Sequence, residues 1–362
     1  MARVFNFSAG PSMLPEAVLE QAGAQITNFQ DSGQSVMEMS HRSKVFAEIF
    51  DETKANLRAA LNVPKTHEIL FLQGGATMQF AAVPMNLTAG DRRRADYAIT
   101  GSFSNLAYKE AQKFAFCNKA CSSEDSNFSY IPEQSQLKLD PGVAYFYYCA
   151  NNTIYGSEWP YVPETAVPLV SDMSSNILTR EVDFDRHAVV FAGAQKNMAP
   201  AGVTVVIVRK DLPKALDGTP VMLDYQTMIK SDSMHNTPPC WSIYILGLTL
   251  KWMIRNGGIE GMAQLKQQRS SLVYDFIDNS DLFSGTVRRS DRSGMNITFT
   301  TGDESLDRKF VSDAESAGLV NLAGHRSVGG MRASMYNAMP IEGAAALVAF
   351  MKRFELSVKG VN

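Results

Sequence analysis

Cysteine is scarce in this chain, and the little there is forms no chelating or cross-linking pattern. Cys117, Cys121, Cys149 and Cys240 make no CxxC pair and have no histidines beside them as zinc ligands. Cys117 and Cys121, four apart, read as a reduced structural pair. A disulfide-scaffolded secreted domain and a zinc ribbon are thereby excluded, and no metal site is expected. Long apolar runs are also missing. The stretch 241–250 is too short to cross a bilayer, and the start, MARVFNFSAGPSMLPE, has no basic-then-apolar signal pattern, so a reducing cytosol is the expected setting. Neither sign of charge prevails: 34 Lys and Arg are interspersed with 37 Asp and Glu for a net charge of -3, which makes no case for nucleic acid or an anionic membrane. Small-molecule chemistry is the default that is left.

What is there is the composition of an ordinary soluble globular protein, 45% apolar and 20% charged. A length of 362 residues is long for one core and favours two lobes. The chain is organised around 188–208, AVVFAGAQKNMAPAGVTVVIV, in which two β-branched runs flank a turn of small residues carrying Lys196. A lysine hemmed in by apolar strands loses hydration, which lowers its pKa and frees the amine as a nucleophile. A solvent-facing loop lysine fits the same stretch taken alone.

Residues 5–15, FNFSAGPSMLP, form an extended arm, and a helix is expected over 16–30. Ser40 can cap a second helix beginning near His41 and running to about Leu61, which puts His41 and Arg42 in its first turn, where an anion is favoured; a surface basic pair is the plainer alternative. The strand 68–72 leads through QGGATMQ into a helix, so the backbone N–H groups near Ala76 and Thr77 suit a phosphate, although the segment matches neither GxGxxG nor a P-loop. A strand at 97–100 is followed by Phe103, able to stack on a planar ligand or to join the core. The polar stretch 118–140 reads as surface loops and short strands without function. Strands at 144–149 and 167–170 end near Thr153 and Asp172. Strands alternating with helices over 68–208 predict a largely parallel sheet that places Thr77, Phe103, Thr153, Asp172 and Lys196 along one edge. A carboxylate and a lysine so placed suit the ring nitrogen and the aldehyde of pyridoxal phosphate, although Asp172 can also be a helix cap. Further on, NTPP at 236–239 is a rigid loop, helices follow at 241–255 and 259–277, and a compact α+β segment contains a strand at 297–300 and helices at 306–317 and 342–354. Within it, GHRSVGGMRAS at 324–334 sets arginines among glycines, as a surface turn or as a grip for carboxylate or phosphate.

The chain resembles the phosphoserine aminotransferase family, pyridoxal-phosphate enzymes of fold type I in class V. The likeness is carried by FNFSAGPSMLP at 5–15, SVMEMSHRSK at 35–44, FLQGGATMQFAAVP at 71–84, NNTIYG at 151–156, FAGAQKNMAPAG at 191–202, NTPP at 236–239 and GHRSVGGMRASMYNAMP at 324–340. The resemblance implies an α/β fold: an arm at 1–15 packing on the small domain, a large domain at 16–258 with a mainly parallel seven-stranded sheet flanked by helices, and a small C-terminal α+β domain at 259–362. It implies amino transfer between L-glutamate and 3-phosphohydroxypyruvate, giving O-phosphoserine and 2-oxoglutarate for serine synthesis, with phosphohydroxythreonine of pyridoxine synthesis as a further substrate in some bacteria. Lys196 would form the Schiff base and shuttle the proton, Asp172 would pair with the ring nitrogen, Thr153 would bond the phenolic oxygen and Phe103 would stack. Ala76, Thr77 and Gln195 would hold the cofactor phosphate, joined by Asn236 and Thr237 from the second subunit of a homodimer. Arg332 would clamp the α-carboxylate, and His41, Arg42, His325 and Arg326 would receive the distal phosphate or γ-carboxylate.

Two features depart from the family pattern. The loop GGATMQF lacks a third glycine and a following arginine, which removes one expected phosphate contact, and Phe103 stands where many members carry tryptophan, which removes an indole donor. Rival readings are an alanine–glyoxylate aminotransferase, a cysteine desulfurase, which needs a mobile nucleophilic cysteine, and a silent anion-binding dimer.

Overall fold

The computed structural model describes residues 3–90, 93–212 and 214–360. Seven strands pair into one sheet: β1 His67–Leu72, β2 Arg94–Ile99, β3 Phe116–Ser122, β4 Phe146–Cys149, β5 Leu169–Asp172, β6 His187–Gly193 and β7 Thr204–Arg209. Their order across the sheet is β1-β7-β6-β5-β4-β2-β3. β7 is antiparallel to both β1 and β6, while the β6–β5, β5–β4, β4–β2 and β2–β3 pairings are parallel. Six strands therefore share one direction, and the carboxyl ends of β1, β2, β4, β5 and β6 open onto the same edge, where α/β sheets build their sites.

The sheet is covered on both faces because successive side chains alternate sides. Ile69, Phe71, Val190, Ala192, Val205 and Ile207 face one core, shared with Phe46, Phe50 and Leu57 of the helix Lys44–Ala60 and with the apolar helix Cys240–Arg255. Leu70, Val189, Phe191, Val206 and Val208 face the other, against Phe80 and Val83 of Gly75–Leu87 and Ala107 and Ala111 of Ser102–Ala111. A third core gathers Phe283, Phe299, Phe310 and Phe354 between the helices Gly258–Asp278, Glu304–Ser316 and Ile341–Val358 and an antiparallel sheet of Ser284–Gly285, Asn296–Thr300 and Met331–Ser334. The arm joins this third core: Phe5–Asn6 pairs with Leu319–Val320, and Phe7 is fully buried there. Among the described residues no helix is long and apolar enough to cross a membrane.

Two local expectations need correction. The first helix spans only Glu16–Ala24, because Ile26 and Thr27 are β-branched and the Asn28 side chain takes the Gly33 N–H at 2.8 Å, a local bond that competes with the helix. The second helix begins at Lys44 and not near His41. Its cap is Ser43, whose hydroxyl accepts the Phe46 N–H at 3.2 Å, while the Ser40 hydroxyl accepts the N–H of Arg42. His41 and Arg42 thus stand in the turn before the helix. The polar stretch 118–140, read as loops and short strands, begins with the edge strand β3 of the sheet. The helix after β2 starts at Ser102, so Phe103 lies in its first turn.

Candidate active site

The site is assembled where β4, β5 and β6 end side by side. Asp172 is the last residue of β5 and only 4% exposed. Its Oδ1 accepts the backbone N–H of Ser174 at 2.9 Å and its hydroxyl at 2.6 Å, an Asx turn that aims the carboxylate along the strand. Ser174 in turn takes the N–H of Gly193 at 3.1 Å, which ties the end of β5 to the end of β6. Burial pushes the Asp172 carboxyl up; the Ser174 bonds and the Lys196 charge pull it back without cancelling the rise.

Lys196 lies in the turn just past β6. Its Nζ donates to Thr153 Oγ1 at 2.7 Å and stands 5.5 Å from the centre of the Phe103 ring. Burial lowers its pKa, and the nearby Arg332 works in the same direction, while Asp172 and Cys149 oppose both. The outcome is an amine that sheds its proton more readily than a surface lysine, as nucleophilic attack on an aldehyde requires. The turn is anchored on two sides. Ser12 donates its N–H to the Gln195 carbonyl at 3.0 Å and its hydroxyl to the Lys196 carbonyl. Asn197 donates to Ile177 O at 2.8 Å and accepts the N–H of Asn337 at 3.0 Å.

Arg332, on the C-terminal antiparallel sheet, donates Nη1 to the Thr153 carbonyl at 3.2 Å; its Nε is buried with no hydrogen-bond partner among the described residues. A buried guanidinium N–H without an acceptor marks a place where an anion would be held. His325 bonds Ser327 Oγ at 2.7 Å, and burial, then the charges of Arg332 and Arg326, lower its pKa. Lys196, Thr153, Asp172, Phe103 and Arg332 are thus brought together, with His325 and Arg326 in the same positive field.

Among the described residues, the other expected residues make no hydrogen bond with that group. Ala76 and Thr77 occupy the first turn of the helix Gly75–Leu87, after Gly74 in the left-handed region at φ 90°, which bares N–H groups at the carboxyl end of β1. Asn236 and Thr237 are exposed and flank Gln73, whose Nε2 reaches Thr237 O at 3.0 Å. Gln195 sits against Gly193, where an added Cβ would meet its Oε1 at 2.7 Å. Among the described residues, no hydrogen bond or ion pair ties His41 or Arg42 to Lys196; Arg42 is exposed, and His41 keeps a buried Nε2 without a partner. Ser174, Ser12 and Asn197 are not foreseen from sequence. The Asp-x-Ser spacing is an Asx-turn signal and could have found Ser174, but nothing local to FSAGPS predicts contact with a lysine far along the chain.

The donor set suits pyridoxal phosphate: an amine whose pKa burial lowers, a buried carboxylate one strand away, a flat ring beside the amine and a helix N-terminus for the phosphate. The same surroundings disfavour a sulfur nucleophile. All four cysteines are free, and burial raises each thiol, Cys117 and Cys121 to about 12. No group of three or more His, Cys, Asp or Glu able to hold a metal occurs among the described residues.

Residues 4–347 match the family described as aminotransferase class V. A phosphoserine aminotransferase from a Janthinobacterium species is 51% identical over 359 residues, covering 98% of this chain and 99% of its own. The solved phosphoserine aminotransferase of Bacillus circulans subsp. alkalophilus superposes with a TM-score of 0.96 at 45% identity, over 98% of this chain and 99% of that one. The pyridoxal-phosphate-bound enzyme from Trichomonas vaginalis superposes at 0.93 with 39% identity, over 97% and 100%. With likeness of this degree along nearly its whole length, the chain belongs to the phosphoserine aminotransferase family of class V aminotransferases.

Proposed function

We propose that this chain transfers the amino group of L-glutamate to 3-phosphohydroxypyruvate, forming O-phospho-L-serine and 2-oxoglutarate in serine synthesis. The observation that carries the reading is the Lys196 amine, held 2.7 Å from Thr153 at the mouth of the strand that ends in Asp172. Pyridoxal phosphate, when bound, supplies an aldehyde and an electron-accepting ring. With the cofactor bound, Lys196 would supply the amine that engages its aldehyde and would move the proton at the substrate Cα. Asp172 would pair with the ring nitrogen, Thr153 would bond the phenolic oxygen, and Phe103 would stack on the ring. Ala76, Thr77 and Gln195 would hold the phosphate, completed by the partner subunit's Asn236 and Thr237 in a homodimer.

Arg332 takes the α-carboxylate with the guanidinium edge that has no protein acceptor. His41, Arg42, His325 and Arg326 take the distal anion. One subsite must accept a phosphate in one half-reaction and a γ-carboxylate in the other, which cationic side chains of differing reach can do and a rigid cavity cannot. The arm at 1–15, the large domain at 16–258 and the small domain at 259–362 are supported as units by the separate C-terminal core and by the pairing of Phe5–Asn6 with Leu319–Val320.

The test is a panel of amino donors and keto acids assayed in pairs on cofactor-loaded protein. Phosphoserine with 2-oxoglutarate should exceed alanine with glyoxylate by orders of magnitude. A preference for alanine, or no transfer with any pair, would defeat the assignment.

A further inference from the structure

The proposed reaction needs the lysine amine fixed in direction as well as poor in protons. Residues 9–12 of the arm run along the lysine. Besides the two Ser12 bonds to the Gln195 and Lys196 carbonyls, the backbone of Gly10 comes so near that an added Cβ would lie 3.3 Å from Lys196 Cγ and 3.7 Å from Cε. Gly10 has φ 138°, a conformation that L side chains rarely adopt, so the position suits glycine on two counts. This segment is a wall against the methylenes of the lysine.

The wall is held from the far side by Tyr336, which is 2% exposed and takes no part in the chemistry proposed for the site. Its hydroxyl donates to the Ala9 carbonyl at 2.8 Å and accepts from Asn296 Nδ2 at 3.1 Å. A carbonyl can only accept, so the single phenolic proton is committed to Ala9. Asn296 is itself fixed, donating to Ser334 Oγ at 2.9 Å and accepting from Asn151 Nδ2 at 2.8 Å. The main chain of Tyr336 is also tied down, since its carbonyl accepts from the fully buried Arg269 at 2.9 Å. Thr153, the acceptor of the lysine amine, is a polar neighbour of the same phenol.

We propose that Tyr336 is a positioning residue for Lys196: by holding Ala9 it keeps the 9–12 segment against the lysine side chain, and so keeps the amine on Thr153. This role rests on the transaminase reading of the site. The hydroxyl is the only part of the Tyr336 side chain that it requires.

Tyr336→Phe removes that hydroxyl and leaves the ring. In the holoenzyme kcat should fall about tenfold with KM for phosphoserine within about twofold, since orientation is lost while the anion contacts stay. The second readout uses the full-length chain stripped of cofactor, with Lys196 acetylated by acetic anhydride across a pH series and quantified by mass spectrometry. The groups facing the amine are Asp172, Cys149 and Arg332. An amine released from its wall gains water, so the labelling midpoint should rise by about one pH unit. Ser12→Ala, which removes a second tie, should move both readouts the same way by a smaller amount. Unchanged kcat and midpoint in Tyr336→Phe would overturn the proposal, as would a lower thermal midpoint with both of them unmoved. If Tyr336→Phe does not fold, unchanged readouts in Ser12→Ala overturn it instead. Wild-type protein that transfers no amino group would defeat the proposed function, while the labelling series would still decide the role of Tyr336.

Discussion

Lys196 and Thr153 are hydrogen-bonded at 2.7 Å although they follow strands that are not neighbours: β6 and β4 have β5 between them. The lysine therefore reaches across the end of β5, the strand whose last residue is Asp172. A ring bound there would have the amine toward its aldehyde side and the carboxylate toward its nitrogen, because amine and carboxylate come from adjacent strands and cannot drift apart independently.

Lys196→Ala removes the amine proposed as the nucleophile. Turnover should fall by at least about 10³-fold, since the covalent route is lost and no neighbouring group replaces it. The thermal midpoint of the protein should hardly change, because the turn around position 196 is anchored through its backbone and through Asn197. Steady-state assay beside a thermal melt checks both halves, and near-normal turnover would contradict the role given to the lysine.

Most of this framework is legible in the sequence because the signals are local. Val189, Val190 and Phe191 belong in a strand for reasons present within those residues, and Asp172 and Lys196 follow from where such strands stop. The true start of the second helix is not legible, because Ser40 and Ser43 are both competent caps and only packing of Phe46 decides between them. The contacts of Ser12, Gly10 and Tyr336 around the lysine are not legible either. Each joins residues whose separation along the chain leaves no periodic trace, and the arm's path depends on the C-terminal core that receives Phe7.

The cap assignment is directly testable. Ser43→Ala should cost about 1 kcal/mol, as loss of a serine N-cap usually does. Ser40→Ala should cost less, since the Ser40 hydroxyl accepts from Arg42 in the preceding turn and from no N–H of the helix. Chemical-denaturation midpoints of the two variants give the comparison; the reverse ranking would restore the earlier helix start.

Arg42→Ala probes the shared distal subsite. If one cationic cluster receives both the phosphate and the γ-carboxylate, KM for phosphoserine and for glutamate should each rise, by about tenfold for loss of one charge-assisted contact. Phosphate, with more charge, should suffer more. A change confined to one substrate would mean that the two anions use different groups.

Glu68 gives a prediction about stability with a definite pH window. It sits on β1 with Lys54 Nζ at 2.7 Å, Lys210 Nζ at 3.2 Å and Arg58 Nη2 at 3.3 Å. Burial would raise its pKa, but hydrogen bonds and charge from Lys54, then the bonds from Lys210 and the Ile69 amide, outweigh it and bring the carboxyl down to about 2. A carboxylate whose pKa is depressed by folding stabilises the folded state above its ordinary pKa of 4.5, and that contribution drains away as pH falls toward 2. Glu68→Gln should therefore cost stability at pH 7, about 1–2 kcal/mol, less than the full linkage value because solvent screens part of the cluster. The deficit should be constant from pH 8 down to about 5 and should narrow below about 4.5, where the unfolded wild type begins to take up the proton that the folded carboxylate still refuses. Thermal midpoints of both proteins along a pH series would show this convergence. A deficit that stayed level down to about pH 3 would mean that the side chain matters for its packing and not for its charge.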